Sequence, residues 1–156
     1  MTRLLVPTDF SETSRLALGY ALFLAERWDA SIEVLHVWQL PAYVSPDLTL
    51  WRAGARERPL HEVAAAESGA RMDEFLRPLD DAQRRRVTVH VRSGEPVDVI
   101  LEQAASSAAE LIVMGTQGRS AFSQLFMGSV AERVVRRAAC PVLTVRAHPE
   151  DDAREG

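Results

Sequence analysis

A set of glycines in the second half of the chain has the spacing expected of a phosphate-binding loop. Gly115 and Gly118 have no side chain to keep a phosphate away from the backbone. Gly128 and Ser129 follow after nine further residues, directly before a run that is predicted to be helical. Free N–H groups and the helix dipole favour an anion at such a helix start. The spacing therefore predicts that this loop holds phosphates.

Side chains next to these glycines would add polar contacts to a bound phosphate. Ser129 offers a hydroxyl, and it is also a candidate cap for the helix that it begins. Arg119 and Ser120 are in position to close over the terminal phosphates, the arginine through a charge-assisted hydrogen bond. Loop flexibility would explain any one of the glycines but not the complete spacing before a helix start, so we favour binding.

A second polar loop, with Thr8 and Asp9, follows the first predicted strand. The Asp9 carboxylate is suited to hydrogen-bond a ribose or an amide edge, but an aspartate beside a helix start is equally well explained as a cap. Both interpretations of Asp9 stay open. Pro7 and Val37 would form apolar walls of a ligand site, although core residues would have the same sequence pattern.

Several classes of chemistry find no support in the composition. All 18 basic residues are arginines, which excludes a phosphate-binding or Schiff-base lysine. Cys140 is the single cysteine, and without an activating histidine nearby in sequence we expect a buried thiol rather than a nucleophile. The four histidines lack the spacing of metal ligands, and a net charge of -4 argues against broad nucleic-acid binding. We therefore predict no catalytic residues, no metal-binding residues and no nucleic-acid partner.

The elements that position these loops alternate between strands and helices along the chain. Short apolar runs predict five strands, at Arg3–Pro7, Ser31–Trp38, Arg86–Arg92, Leu111–Met114 and Pro141–Val145. Apolar residues at helical spacing predict four helices, at Ser11–Trp28, Leu60–Leu76, Pro96–Ala105 and Ser129–Ala139. This alternation predicts an α/β fold with a parallel sheet covered by helices on both faces. Ligands of such sheets bind beyond the carboxyl ends of the strands, where both polar loops are expected.

The remaining segments receive simpler predictions. Arg86–Arg92 alternates valines with polar residues and is expected near a sheet edge, after a solvated turn at Arg84–Arg86. Gln39–Pro59 is long and irregular, so we expect it to be functional or mobile. The acidic residues 148–156 are predicted to be a disordered tail, which leaves a single domain at 1–147.

The sequence carries no pattern typical of export or membrane insertion. Its first apolar run is broken by Pro7, which is too early for the core of a signal peptide. Leu16–Ala25, the longest apolar stretch, is about half the length that spans a bilayer. A single cysteine also fits a reducing compartment. We expect a cytoplasmic protein with no membrane partner.

These motifs together resemble those of the universal stress protein family. Its ATP-binding members have glycine, two residues, glycine, nine residues, and then glycine with serine or threonine, a pattern that the loop described above meets in full. The resemblance extends to Val6–Ser11, His36-Val37, Val113–Gly115 and Cys140–Leu143, so that it spans nearly the whole chain.

The resemblance implies a fold, a ligand and an assembly. The fold is an adenine-nucleotide-binding, Rossmann-like sheet of five parallel strands in the order 3-2-1-4-5, and the assembly is a homodimer joined through the C-terminal strand. The implied ligand is ATP, with a companion Mg²⁺ left open, and the protein partner is unidentified. Pro7, Asp9 and Val37 would hold adenosine. The full candidate binding set is Pro7, Thr8, Asp9, Val37, Met114, Gly115, Gly118, Arg119, Ser120, Gly128, Ser129 and Val130.

Three functional hypotheses result. The first, implied by the resemblance, is a nucleotide-dependent regulator of a stress response with at most slow ATP hydrolysis, because no general base is evident. The second is a dimeric interaction module of the same fold that binds no nucleotide, against which the intact glycine spacing argues. The third is a hydrolase or transferase, which requires a catalytic constellation that we do not find in the sequence.

Overall fold

A computed structural model describes residues 2–45, 48–50, 58–116 and 127–147 of the 156-residue chain. These residues form strands β1 Arg3–Thr8, β2 Ser31–Trp38, β3 Thr49–Leu50, β4 Arg58–Pro59, β5 Val87–Ser93, β6 Leu111–Gly115 and β7 Val142–Val145. They also form helices α1 Glu12–Trp28, α2 Leu60–Leu76, α3 Asp81–Arg86, α4 Pro96–Ser106 and α5 Ser129–Arg137. Every strand and helix that the hydrophobic pattern predicts is therefore present, with ends that differ by one or two residues at most.

Five of the strands form one parallel sheet. Its order is β5-β2-β1-β6-β7, which places β1 in the centre and β5 and β7 at the two edges. Counted along the chain this is the order 3-2-1-4-5, as expected, and the predicted edge position of the third of these strands is confirmed. The strand order reverses between β1 and β6, so their carboxyl ends form the switch point at which open α/β sheets bind ligands.

Helices cover both faces of the sheet. Apolar side chains of α1 and α2 pack with β1 and β2 in one buried cluster, which includes Leu18, Phe75 and Val34. Side chains of α4 and α5 pack on the opposite face in a second cluster, which includes Leu35 and Ile100. Val34 and Leu35 are consecutive and both fully buried, because neighbouring strand residues point to opposite faces and each face is covered.

Two segments differ from their sequence predictions. Arg84–Arg86 is solvent-accessible as expected, but it is the end of α3 and not a turn, because Asp80 and Gln83 form a capping box that starts a short helix. Within Gln39–Pro59, expected to be irregular, β3 and β4 pair as antiparallel strands of two residues each. The predicted tail, 148–156, lies outside the described residues.

Candidate functional site

The carboxyl ends of β1 and β6 bring the two predicted loops together. β1 and β6 pair in parallel, with Leu5 opposite Ile112. At the end of β6, Gly115 packs directly against Thr13 in the first turn of α1. The end of β1 at Thr8 and the turn from Asp9 to Ser11, which leads into α1, therefore lie at the same edge of the sheet as the start of the glycine loop.

Gly115 has a structural reason to lack a side chain. A Cβ atom at this position would lie 2.6 Å from Oγ1, 2.8 Å from Cβ and 3.0 Å from the backbone carbon of Thr13. These separations are too short for non-bonded atoms, so a larger residue would push α1 away from β6. Close packing of helix on strand thus explains Gly115 whether or not a phosphate binds there.

Polar contacts hold the loop after β1 in a defined conformation. Asp9 Oδ1 accepts hydrogen bonds from the backbone N–H of Ser11 at 3.0 Å and from Ser14 Oγ at 2.8 Å. The N-cap of α1 is Ser11, whose Oγ accepts from the backbone N–H of Ser14 at 3.3 Å. Asp9 therefore supports the turn before the helix but is not its cap, and its contact with a ribose stays a prediction.

Phe10 and His36 fix the backbone of the same loop. Phe10 has a φ of 66°, which is uncommon for a residue with a side chain. Its ring centroid lies 4.2 Å from that of His36, and the Arg71 guanidinium lies over its ring at 4.8 Å. His36 Nδ1 donates to the carbonyl oxygen of Thr8 at 2.8 Å. This contact cannot be read from the sequence, because it depends on the register that sets Thr8 opposite His36.

The glycine loop is described at its two ends. Thr116, just after β6, is buried, and its backbone N–H and Oγ1 both donate to the carbonyl oxygen of Val145 on β7, at 2.8 and 3.2 Å. The backbone N–H of Gly128 donates to the carbonyl oxygen of Thr116 and so brings the two ends together. Three predicted binding residues lie outside the described residues: Gly118, Arg119 and Ser120.

Helix α5 begins where the glycine loop ends. Its N-cap is Gly128, at φ -62° and ψ 150°, and none of the described side chains caps it. Three other helices have side-chain caps, from Ser11, Asp80 and Glu95. Ser129 is the first helical residue and is exposed, so the prediction that it caps the helix is wrong. The N–H groups of Ser129 and Val130 belong to the first turn, where an α-helix has no acceptor of its own.

The other predicted binding residues are apolar and also serve packing. Pro7 on β1 and Met114 on β6 are buried, whereas Val37 on β2 and Val130 on α5 are half-buried. Met114, Val37 and Val130 contribute to the cluster on the α4 and α5 face. The nine described candidates thus lie at the carboxyl ends of β1, β2 and β6 or at the start of α5.

Cys140 lies between α5 and β7. Its side chain is partly buried and packs against the cluster on the α4 and α5 face. Burial raises the pKa of the Cys140 thiol, because desolvation disfavours the thiolate. This environment makes the thiol a weaker nucleophile at neutral pH than an ordinary cysteine, in line with its sequence interpretation.

Metal binding and membrane insertion find no support in the part of the chain that the structure describes. No group of three or more histidine, cysteine, aspartate or glutamate side chains lies there in an arrangement that would hold a metal ion. None of the helices described is long and apolar enough to cross a membrane.

Comparison with known proteins decides the family. The model of the universal stress protein family matches residues 1–146. The chain belongs to this family. Universal stress protein MJ0531 of Methanocaldococcus jannaschii is 32% identical over 144 residues, which cover 92% of this chain and 81% of that protein. Universal stress protein YxiE of Bacillus subtilis is 31% identical over 150 residues, covering 92% and 98% of the two chains.

Solved structures share the fold of this universal stress protein. UspA from Lactobacillus plantarum aligns with a TM-score of 0.74 at 24% identity, over 93% of this chain and 97% of that one. A universal stress protein in complex with cAMP aligns with a TM-score of 0.62 at 23% identity, over 93% and 96%. The protein from Archaeoglobus fulgidus in complex with dAMP gives 0.61 at 22% identity, over 94% and 98%. The Rossmann-like α/β fold expected from the sequence is therefore confirmed.

Proposed function

We propose that this universal stress protein binds ATP at the carboxyl ends of β1 and β6 and regulates a stress response through nucleotide occupancy. The observation that carries the proposal is the start of α5, which follows the glycine loop in the chain and has no cap among the described side chains. The hydrogen bond from Gly128 to Thr116 keeps this helix start next to the end of β6. First-turn N–H groups and the helix dipole stabilise a phosphate at such a position. Relatives of the same fold that hold cAMP and dAMP support an adenine nucleotide as the ligand.

The described residues have distinct roles in this proposal. The N–H groups of Ser129 and Val130 donate to phosphate oxygens, and Gly128 provides space rather than a donor, because its own N–H is bonded to Thr116. Asp9 accepts from a ribose hydroxyl, while its Oδ1 holds the turn before α1 through Ser11 and Ser14. Among the candidates outside the described residues, Gly118 would approach the phosphates, and Arg119 and Ser120 would close over them.

The base and ribose would then rest on the apolar candidates. Pro7 and Met114 are buried beneath the switch point, and Val37 lies at the end of the neighbouring strand. Met114 and Val37 already pack in the cluster on the α4 and α5 face, so these walls of the site are formed before the nucleotide arrives. Any Mg²⁺ that accompanies ATP would take most of its ligands from phosphate oxygens and water.

Regulation fits the site better than fast turnover. Asp9 is the one carboxylate among the nine described candidates, and its Oδ1 already accepts two hydrogen bonds that hold the turn. A general base must instead be free to take a proton from the attacking water. We therefore expect ATP hydrolysis to be slow or absent. Turnover at ordinary enzyme rates, about 1 per second or faster, would contradict the regulatory proposal.

The proposal includes a cytoplasmic homodimer joined through β7, with an unidentified protein partner. β7 is an edge strand without charged residues, and Leu143 on it is 37% exposed. Such an edge presents unpaired backbone groups to a second strand. The family match also supports one domain at 1–147, with residues 148–156 as a tail beyond it.

Release of small molecules from the purified protein identifies the nucleotide. The protein is denatured, the supernatant is analysed by mass spectrometry, and apo protein is then tested for partner capture with and without ATP. We expect ATP in the extract and a partner set that changes with ATP. If neither the extract nor added ATP shows binding by the folded protein, the nucleotide-free dimeric interaction module becomes the better account.

A further inference from the structure

Ser14 is a polar residue on the buried face of α1. Its exposed fraction is 4%, and the fully buried residues Ala17 and Ala21 follow it on the same face. A methyl side chain is sufficient for packing at those two positions. A buried hydroxyl, in contrast, lowers the stability of the fold unless hydrogen bonds compensate for its lost hydration. The serine therefore has to be explained by its hydrogen bonds.

The hydroxyl of Ser14 is fully engaged within the turn before α1. Its Oγ donates to Asp9 Oδ1 at 2.8 Å, and it accepts from Ser11 Oγ at 3.1 Å and from the backbone N–H of Asp9 at 3.4 Å. A hydroxyl offers a single proton and a pair of acceptor positions, so these contacts use its whole capacity. Any contribution of Ser14 to ligand binding must therefore pass through one of these partners.

The acceptor character of Asp9 sets the direction of a chain of hydroxyl groups. A carboxylate only accepts hydrogen bonds, so Ser14 gives its proton to Asp9 and accepts the proton of Ser11. Thr13 Oγ1 lies 3.1 Å from Ser11 Oγ, and it is the donor of that contact because the Ser11 proton is already used. Thr13 packs in turn against Gly115 at the end of β6. The chain thus connects the start of the glycine loop with Asp9.

Two donors on one oxygen hold the Asp9 carboxylate in a single orientation. Its Oδ1 accepts from Ser14 Oγ and also from the backbone N–H of Ser11. Without the Ser14 hydroxyl only the bond to Ser11 would remain, and the carboxylate could rotate about it. A binding group that is already held in its bound orientation loses less conformational entropy when the ligand arrives.

We infer that Ser14 is a positioning residue for the sugar of the nucleotide, because it holds the Asp9 carboxylate in the orientation that accepts from a ribose hydroxyl. The inference rests on the proposed function, in which Asp9 binds the ribose of ATP. Ser14 does not touch the ligand. It raises the affinity only for nucleotides whose sugar carries a hydroxyl, and so contributes to selectivity for ribose.

Calorimetric titration with two nucleotides separates positioning from a structural role. ATP has both ribose hydroxyls, and 2′,3′-dideoxy-ATP has neither. We expect Ser14→Ala to weaken ATP by about threefold to tenfold and to leave dideoxy-ATP within about twofold of the wild type. Ser68→Ala removes a buried hydroxyl from α2 and should change neither affinity. An equal loss of both nucleotides in Ser14→Ala, or no loss of ATP, would overturn the inference.

A double-mutant cycle with Asp9 gives a second test. In Asp9→Ala the group through which Ser14 acts is absent, so adding Ser14→Ala should cause no further loss of ATP affinity, whereas independent effects would add. Ser14→Thr keeps the hydroxyl and should restore ATP binding, and the cycle decides if the extra methyl group prevents folding. Additive losses in the cycle would contradict the inference.

The same titrations distinguish failure of this inference from failure of the proposed function. A folded wild type that binds neither nucleotide would refute ATP binding, and the role of Ser14 with it. A wild type that binds ATP and dideoxy-ATP with equal affinity would refute the role of Ser14 alone, because ATP binding would stand without a contribution from the ribose hydroxyls.

Discussion

At the scale of single residues, Gly115 shows that close helix–strand packing and phosphate binding can both require a residue without a side chain. Its approach to Thr13 leads us to expect that Gly115→Ala lowers the free energy of unfolding by about 1–3 kcal/mol, because the added carbon overpacks the contact between α1 and β6. Urea denaturation measures the change. Gly19→Ala on α1 is the matched control, since nothing lies within 4 Å of a Cβ there, and it should leave the stability equal or raise it by up to about 1 kcal/mol.

The same contact limits how Gly115 can be used to test nucleotide binding. If a Gly115 variant no longer bound ATP, the titration alone would not distinguish a blocked phosphate site from displacement of α1. If Gly115→Ala proves as stable as the wild type, α1 does not approach β6 as closely as the structure indicates. Gly128 is the cleaner position, because its φ and ψ suit any residue with a side chain.

Cys140 provides a prediction on pH. Alkylation proceeds through the thiolate, and burial raises the pKa of this thiol above its ordinary value. The labelling rate with iodoacetamide should therefore rise with pH around a midpoint above that of the same cysteine in urea-unfolded protein. Rapid labelling of the folded protein at neutral pH, at or above the unfolded rate, would contradict this account.

At the scale of elements, the start of α1 depends on Asp9 and Ser11 in different ways. Asp9→Asn keeps an oxygen that accepts from Ser11 and Ser14, so it should change the free energy of unfolding by less than about 0.5 kcal/mol, whereas Asp9→Ala should cost about 1–2 kcal/mol. If the carboxylate also holds the ribose, Asp9→Asn should weaken ATP by about tenfold. Thermal unfolding and ATP titration of the two variants separate the roles. Equal ATP affinity in Asp9→Asn and the wild type would mean that Asp9 stabilises the turn before α1 and does not bind the ribose.

The elements show which parts of the fold the sequence could predict. Hydrophobic periodicity located every strand of the main sheet and four helices, because burial repeats along each of them. It missed α3, whose six residues are too few to show a helical period, although Asp80 and Gln83 at capping-box spacing were a usable signal. The pairing of β3 with β4 was also missed, since strands of two residues have no period.

Contacts within the site were less predictable than the elements. The glycine spacing located the switch point. The hydrogen bond from His36 to Thr8, however, depends on strand register. The close approach of Thr13 to Gly115 depends on the packing of α1 against β6. Neither relation can be read from neighbours in sequence. The assignment of Ser129 as a cap failed because Gly128 already ends the loop in an extended conformation.

At the scale of the whole molecule, the two edges of the sheet offer an internal comparison. Leu143 on β7 is 37% exposed and Val89 on β5 is 44% exposed, so both are accessible positions on edge strands. If the homodimer forms through β7, Leu143→Asp should convert it to a monomer, whereas Val89→Asp should leave it a dimer. Light scattering coupled to size exclusion measures the mass. A wild type that is monomeric at high concentration, or dimers in both variants, would refute assembly through β7.

The central claim, that ATP binds at the start of α5, is tested most directly by calorimetric titration of nucleotide-free protein. Gly128→Val places a branched side chain where the phosphates would lie, on a backbone whose φ and ψ accept it, and Gly69→Ala on α2 is a remote control with open space around it. We predict one ATP per chain in the wild type and in Gly69→Ala, and a loss of more than about tenfold, 1.4 kcal/mol, in folded Gly128→Val. ATP binding that is equal in all three proteins, or absent from a folded wild type, would contradict the account.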